Sequence, residues 1–131
     1  MNQNSSVFFA PQLTIKNGVN DITFYAEAFG AVELRRFMND DGTFHVAELS
    51  IEGNIFHLHE EVAGSGSFSP EKHNGSTVII GLFVPDVDVV MDRAVAAGAI
   101  ITSPAQDYDY GYRQGKIKDP FGHYWMIETT I

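Results

Sequence analysis

The stretch "ITFYAEAFG", Ile22–Gly30, places apolar residues at Ile22, Tyr25, Ala26 and Phe29. That i, i+3, i+4, i+7 spacing puts them on one face of an α-helix. Gly30 follows at the position where helices often end in left-handed backbone. Upstream lie an extended apolar run, "VFFAPQLTI" (Val7–Ile15), and a polar break, "KNGVND". Downstream, "AVELRRFMN", "FHVAELSIE" and "NIFHLHE" read as three strands, with "NDDG" and "EG" as the turns between them.

The same plan recurs in the second half. "STVIIGLFV" (Ser76–Val84) is a strand, and Pro85 and Asp86 break and cap. In "VDVVMDRAVAAG", Val87, Val90, Met91, Ala94 and Val95 mark one helical face, and Gly98 closes it. "AIITSPA", "YRQGKIK" and "HYWMIETT" follow as strands, with Pro104 expected to end the first of them. Between the halves, "EVAGSGSFSPEKHNGS" (Glu61–Ser76) has the Gly, Ser and Pro content of a flexible linker. The chain therefore divides into a first βαβββ module (7–60), a linker (61–76) and a second module (77–130), within a single domain (1–131).

One helix covers one face of a four-stranded sheet. The other face must meet the second copy or another subunit. The expected fold is α+β, with duplicated βαβββ modules forming a half-open, barrel-like cleft. Such a concavity is a natural ligand site.

Composition narrows the functions. The chain has 131 residues, 44% hydrophobic and 12% aromatic, enough for one domain with a real core. No apolar run is long enough to span a bilayer, so no membrane role is expected. "MNQNSSVFF" lacks the charged start and long apolar middle of a secretory leader. There is no cysteine, which excludes disulfides and thiolate chemistry, and a cytoplasmic location is the expectation. The formal net charge is −9, with scattered Lys and Arg, so a nucleic-acid backbone would be repelled.

Strand alternation assigns faces. In the fourth strand Phe56 and Leu58 suit the helix side, and Ile55, His57 and His59 the cleft. In the third, Ala47, Leu49 and Ile51 pack inward, and Val46, Glu48 and Ser50 face the cleft. In the last strand Trp125 and Ile127 are core, while Tyr124, Met126 and Glu128 face the cleft. Ile80, Leu82 and Val84 are core, with Ile79, Gly81 and Phe83 on the cleft side. Ala10, Gln12 and Thr14 share that side in the first strand.

The "FY-x-x-AFGA" and "DPFGH-x-W" motifs, in register with the duplication and with "VDVVMDRAVAAGA", resemble the vicinal oxygen chelate superfamily. That group includes glyoxalase I, bleomycin-resistance proteins and extradiol dioxygenases. The motifs are most similar to its PhnB-like, glyoxalase-like branch. The resemblance implies that "DPFG" is the turn before the last strand. It also implies that metal-using members take four His or Glu ligands from the first and fourth strands of each module. Those positions fall here on Ala10, His57, Ile79 and Met126. Only His57 suits a borderline divalent ion, so the four-ligand site is not expected.

Two alternatives remain open at His57 and His59, which lie roughly 7 Å apart on one strand face. With Glu48 and Glu128 they could form a displaced site for Zn, Ni, Fe or Mn, in which Glu48 and Glu128 are the catalytic carboxylates. Otherwise they are polar cleft residues bonded to ligand, water or Glu48. The "DYDYGYRQG" segment adds Tyr108, Tyr110, Tyr112 and Arg113 as a rim for a planar, anionic or cationic ligand, or as an ordinary hairpin. Glu60 and Glu61 are expected to be solvated. The candidate ligand-binding set is Gln12, His57, His59, Phe83, Tyr108, Tyr110, Arg113, Tyr124 and Met126. Three functions follow: a metal-free binder of a small organic molecule, a divalent-metal enzyme with a displaced His/Glu site, and a bleomycin-resistance-like sequestering protein. A homodimer is expected, since relatives often complete their clefts across subunits.

Overall fold

A computed structural model describes residues 6–131. Residues 1–5, part of the N-terminal stretch read as lacking a leader, lie outside the described residues. The chain forms β1 (Gln12–Ile15), α1 (Phe24–Phe29), β2 (Val32–Met38), β3 (Phe44–Ile51) and β4 (Asn54–Glu60). A short 3-10 turn, Pro70–His73, precedes β5 (Ile79–Phe83), α2 (Val87–Ala96), β6 (Ile100–Tyr108), β7 (Tyr112–Lys118) and β8 (Tyr124–Thr130). The strands make two four-stranded sheets, ordered β1-β4-β3-β2 and β5-β8-β7-β6. In each, the first strand runs parallel to the fourth and the remaining pairs are antiparallel. This is the duplicated βαβββ, α+β fold expected from the repeat.

Local chemistry sets the boundaries. The first strand is shorter than the apolar run, because Pro11 has no N–H for a ladder. Its carbonyl still accepts from the His57 N–H at 2.9 Å. Asp21 Oδ1 accepts from the backbone N–H of Thr23 at 2.9 Å and from its hydroxyl at 2.7 Å, turning the chain into α1. Gly30 ends α1 at φ 69°, left-handed backbone that glycine adopts without strain. Asp86 caps α2 by accepting the Val89 N–H at 3.2 Å.

The helical faces differ from the periodicity in part. Ala26 is exposed, and Phe24 and Ala28 are buried with Tyr25 and Phe29. The short helix packs its flank into the aromatic core, which rotates the buried stripe by one position. Val95 is exposed, while Val87, Met91 and Ala94 are buried as expected. Pro104 does not end its strand. As a terminal strand, β6 continues to Tyr108, absorbing the proline through register shifts between Ile101 and Gln106.

The two modules meet on their helix sides. Tyr25, fully buried, lies with ring centroids 5.2 Å from Phe56, 5.8 Å from Phe121 and 5.9 Å from Trp125. Burying each such aromatic side chain contributes roughly 1.5–3 kcal/mol. Its hydroxyl reaches Asp119 Oδ2 at 2.5 Å. His123 Nε2 lies 2.8 Å from the Thr14 carbonyl, which makes Nε2 the protonated nitrogen. Arg93 of α2 donates to the Glu27 carbonyl of α1 at 3.1 Å.

The segment joining the modules is tied down at its start. Glu61 Oε1 accepts the Ser69 N–H at 2.7 Å, and Oε2 pairs with Lys72 at 2.8 Å. Glu60 is likewise engaged, by Asn17 at 2.9 Å, Asn39 at 3.1 Å and His45 at 2.8 Å. Neither glutamate is the solvated charge the sequence suggested. Carboxylates beside a reachable amide, ammonium or backbone N–H bond to them once tertiary folding brings the partners near.

Candidate functional site

The sheet faces opposite the helices follow the expected alternation. On the first sheet the register aligns Arg35, Glu48, His57 and Gln12 in one cross-strand row, and Phe37, Val46, His59 and Thr14 in the next. On the second it aligns Ile79 with Tyr124 and Lys118, Gly81 with Met126 and Lys116, and Phe83 with Glu128 and Gln114. Tyr112 follows at the end of that face, paired with Tyr108 and Thr130.

On the first sheet, His57 Nε2 lies 3.1 Å from Glu48 Oε2, both side chains partly open to solvent. His59 Nδ1 is 2.7 Å from the Glu60 carbonyl, so it is the protonated nitrogen. The His59 ring stands edge-on to His45, with centroids 5.0 Å apart. The Asn17, His45 and Asn39 donors hold the Glu60 carboxyl below its usual range, with Asn17 the largest cause. Gln12 is exposed on the terminal strand.

On the second sheet, Glu128 is 8% exposed and accepts Gln114 Nε2 at 2.7 Å through Oε1. Gln114 Oε1 in turn accepts the Tyr110 hydroxyl. Glu128 Oε2 leans over Gly81, so closely that a β-carbon there would lie 2.6 Å from it. Around them runs an aromatic series: Phe83 to Tyr112 at 5.9 Å, Tyr112 to Tyr110 at 5.9 Å, and Tyr110 stacked on Tyr108 at 5.3 Å.

Arg113 does not belong to this rim. It pairs in register with Thr129 on the helix side and grips Asp88 of α2 at 2.9 Å and Asp107 at 3.0 Å. Those two carboxylates hold its guanidinium above its usual range. Alternation against Gly115 and Ile117 carries the parity that excludes it from the cleft. The same parity puts Gln114, Lys116 and Lys118 on the cleft face, residues the sequence reading passed over.

The structure does not bring the displaced metal set together. Among the described residues, no hydrogen bond or ion pair joins Glu48, His57 or His59 to Glu128. Among the described residues no three His, Asp or Glu side chains are grouped to hold a metal there. The four positions marked for metal ligands fit no better. Ala10 and Ile79 carry no donor, and Met126 offers only a soft thioether.

Ala10 and Ile79 instead line a groove of about 930 Å³. Its walls are the segment Ser6–Pro11, the β3–β4 turn with Ile55 and Phe56, and Val78 with the whole of β5. Phe8 and Phe9 bring large apolar side chains to it. An apolar groove of this size suits a small organic molecule.

Two βαβββ modules with open sheet faces and an apolar groove along β5 define a duplicated-module cleft protein. A family model, the Glyoxalase/Bleomycin resistance protein/Dioxygenase superfamily, matches residues 20–127, and the chain belongs to that superfamily. An uncharacterized protein of Mycobacterium tuberculosis is 38% identical over 125 residues, covering 93% of this chain and 74% of the relative. The solved structure of an Arabidopsis thaliana gene product is 27% identical with a TM-score of 0.70, covering 94% of this chain and 98% of that one. The fosfomycin resistance protein of Listeria monocytogenes shares the fold, with a TM-score of 0.70 at 17% identity, covering 98% of this chain and 96% of that one. Among the described residues no helix is long and apolar enough to cross a membrane.

Proposed function

We propose that the protein binds a small organic molecule in the groove along β5, without the four-ligand metal centre of metal-using members. The "FY-x-x-AFGA" and "DPFGH-x-W" motifs support placing it in the PhnB-like, glyoxalase-like branch. One observation carries the reading. Positions that would supply metal ligands are Ala10 and Ile79, and they form part of an apolar wall. A ligand there gains by leaving water against Phe8, Phe9 and Phe83 rather than by coordination. Sequestering a compound, as bleomycin-resistance-like proteins do, would need nothing more. The protein acts in the cytoplasm as a homodimer that covers apolar surface exposed on the single chain outside the groove, including Val32, Leu34 and Ile100. It has no nucleic-acid or membrane partner, in keeping with the −9 charge.

A second reading rests on the His57–Glu48 pair, 3.1 Å apart, and on the Nε2 of His59, the ring nitrogen not bonded to the Glu60 carbonyl. These could hold a divalent ion if a partner subunit brought its Glu128 near, giving a metal-dependent enzyme with Glu48 as base. One experiment separates the two. The protein is incubated with Zn, Ni, Mn and Fe(II), desalted and analysed for metal, and a compound set is screened by thermal shift with chelator present. Stabilisation by apolar compounds in chelator, with no bound metal, supports the groove reading. One metal per chain, lost in His57→Ala, supports the enzyme.

A further inference from the structure

Glu128 is more than nine-tenths buried, yet only one of its oxygens is bonded. Gln114 Nε2 satisfies Oε1 at 2.7 Å. No donor among the described residues reaches Oε2, which stands over Gly81. Gly81 itself lines the apolar groove, as does Phe83, the register partner of Glu128. Among the described residues no buried side-chain oxygen lacks a partner, so this oxygen keeps an opening to solvent, and a donor arriving through that opening can bond it.

The surroundings say what kind of group would. Phe83, Tyr112, Tyr110 and Tyr108 form a continuous aromatic series beside the carboxylate. Ring faces attract cations through their quadrupoles and prefer those that shed water easily. A metal ion would need several more donor atoms, and no such group is assembled among the described residues. The Gln114 bridge between Tyr110 and Glu128 fixes the carboxylate rotamer in advance. The Tyr110 phenol is held above its usual value, by desolvation first and then by Tyr108, Glu128 and Asp109, so this corner disfavours added negative charge. Lys116, one row away beside Met126, makes no ion pair with Glu128.

We propose that Glu128, with Phe83, Tyr110 and Tyr112, forms a subsite for an organic cation: a protonated or quaternary amine carrying an apolar substituent. The ammonium meets Oε2 and the ring faces, and the substituent lies along β5 in the groove. This rests on the groove reading above and names the ligand class for it.

The test compares benzyltrimethylammonium, benzyl alcohol and benzoate, titrated in chelator by calorimetry and by amide and tyrosine NMR shifts. Benzyltrimethylammonium is expected to bind at least tenfold more tightly than benzyl alcohol, shifting Phe83, Tyr110 and Tyr112. Glu128→Gln should abolish that preference. Gly81→Ala keeps the charge but displaces the carboxylate, and should weaken the cation at least threefold without weakening benzyl alcohol to the same degree. Dispersed amide spectra confirm that each variant is folded. Equal or tighter binding of benzyl alcohol or benzoate, or a cation preference kept in folded Glu128→Gln, overturns the subsite and leaves the groove reading standing. If none of the three binds, both readings fall.

Discussion

The Tyr25 hydroxyl and the Asp119 carboxylate meet at 2.5 Å across 94 residues of chain, tying the helix of the first module to the β7–β8 turn of the second. Trp125 Nε1 donates to the same oxygen at 2.9 Å, and the Phe121 and His123 N–H groups take the other at 2.9 and 3.0 Å. One side chain thus shapes the turn, seats the only tryptophan and joins the two halves. Asp119→Ala would strand all these buried donors and should cost at least about 3 kcal/mol in urea unfolding. Tyr25→Phe loses a single charge-assisted bond and should cost about 1.5–3 kcal/mol. A neutral result for Asp119→Ala would show that the bonds to this carboxylate contribute nothing net to holding the two modules together.

The same tyrosine gives an alkaline limit. Burial first, and Asp119 second, raise its phenol well above the ordinary 10.0. The folded form therefore keeps a proton that the unfolded chain releases. That contribution is complete below pH 10 and is lost as pH rises beyond it toward the folded value. Denaturant titrations from pH 8 to 11 should show stability falling above about pH 10. The part of that fall owed to this group should vanish in Tyr25→Phe.

At the acid end the sensitive group is Glu61. Lys72 first, and the Ser69 N–H second, lower its carboxyl from 4.5 to about 2. A depressed carboxyl contributes stability above its unfolded value and loses it as pH falls through the folded one. Cleavage by pepsin near Phe68 should increase as pH drops from 4.5 toward 2. Glu61→Gln should be cleaved readily throughout, and an unchanged rate would mean the carboxylate does not restrain the segment.

Two glycines of the second sheet should respond differently to alanine. At Gly81 the new β-carbon meets only the Glu128 carboxylate, the end of a movable side chain. At Gly115 it meets Met91 Cε at 2.6 Å and the Ala105 backbone at 3.2 Å, inside the packed helix layer. Gly115→Ala should cost about 1–3 kcal/mol, and Gly81→Ala less. Equal costs would indicate that Glu128 is as rigidly held as the core.

The proposed homodimer has a direct readout. Sedimentation should give twice the 14.5 kDa chain mass. Val32 is 59% exposed and lies outside the groove, so Val32→Asp should leave folding intact and shift the mass toward one chain. A monomeric wild-type protein at micromolar concentration would remove the dimer and, with it, the partner-completed metal reading.

Much of this architecture was legible in sequence because it depends on short-range periods. Spacing of 3.6 and 2 located the helices and the strand faces, and Gly30 and Gly98 marked the helix ends. Leu58, Trp125 and Ile127 are core, while His57 and Glu128 take the opposite face, as alternation required. Departures came where a neighbour distant in the chain intervened. The aromatic core turned Ala26 outward, and the terminal position of β6 let Pro104 sit within a strand.

By itself, the sequence determined the repeat, the fold class, the alternation that divides most strands between two faces and the poor fit of Ala10, Ile79 and Met126 to a metal. These follow from local backbone geometry and from the chemistry of single residues. Only the tertiary structure decided which groups meet. It sent Arg113 to Asp88 and Asp107, paired His57 with Glu48, and left one oxygen of Glu128 over Gly81 without a donor among the described residues. Partners of that kind are chosen by how helices and sheets pack across long chain separations, where side-chain periodicity carries no information.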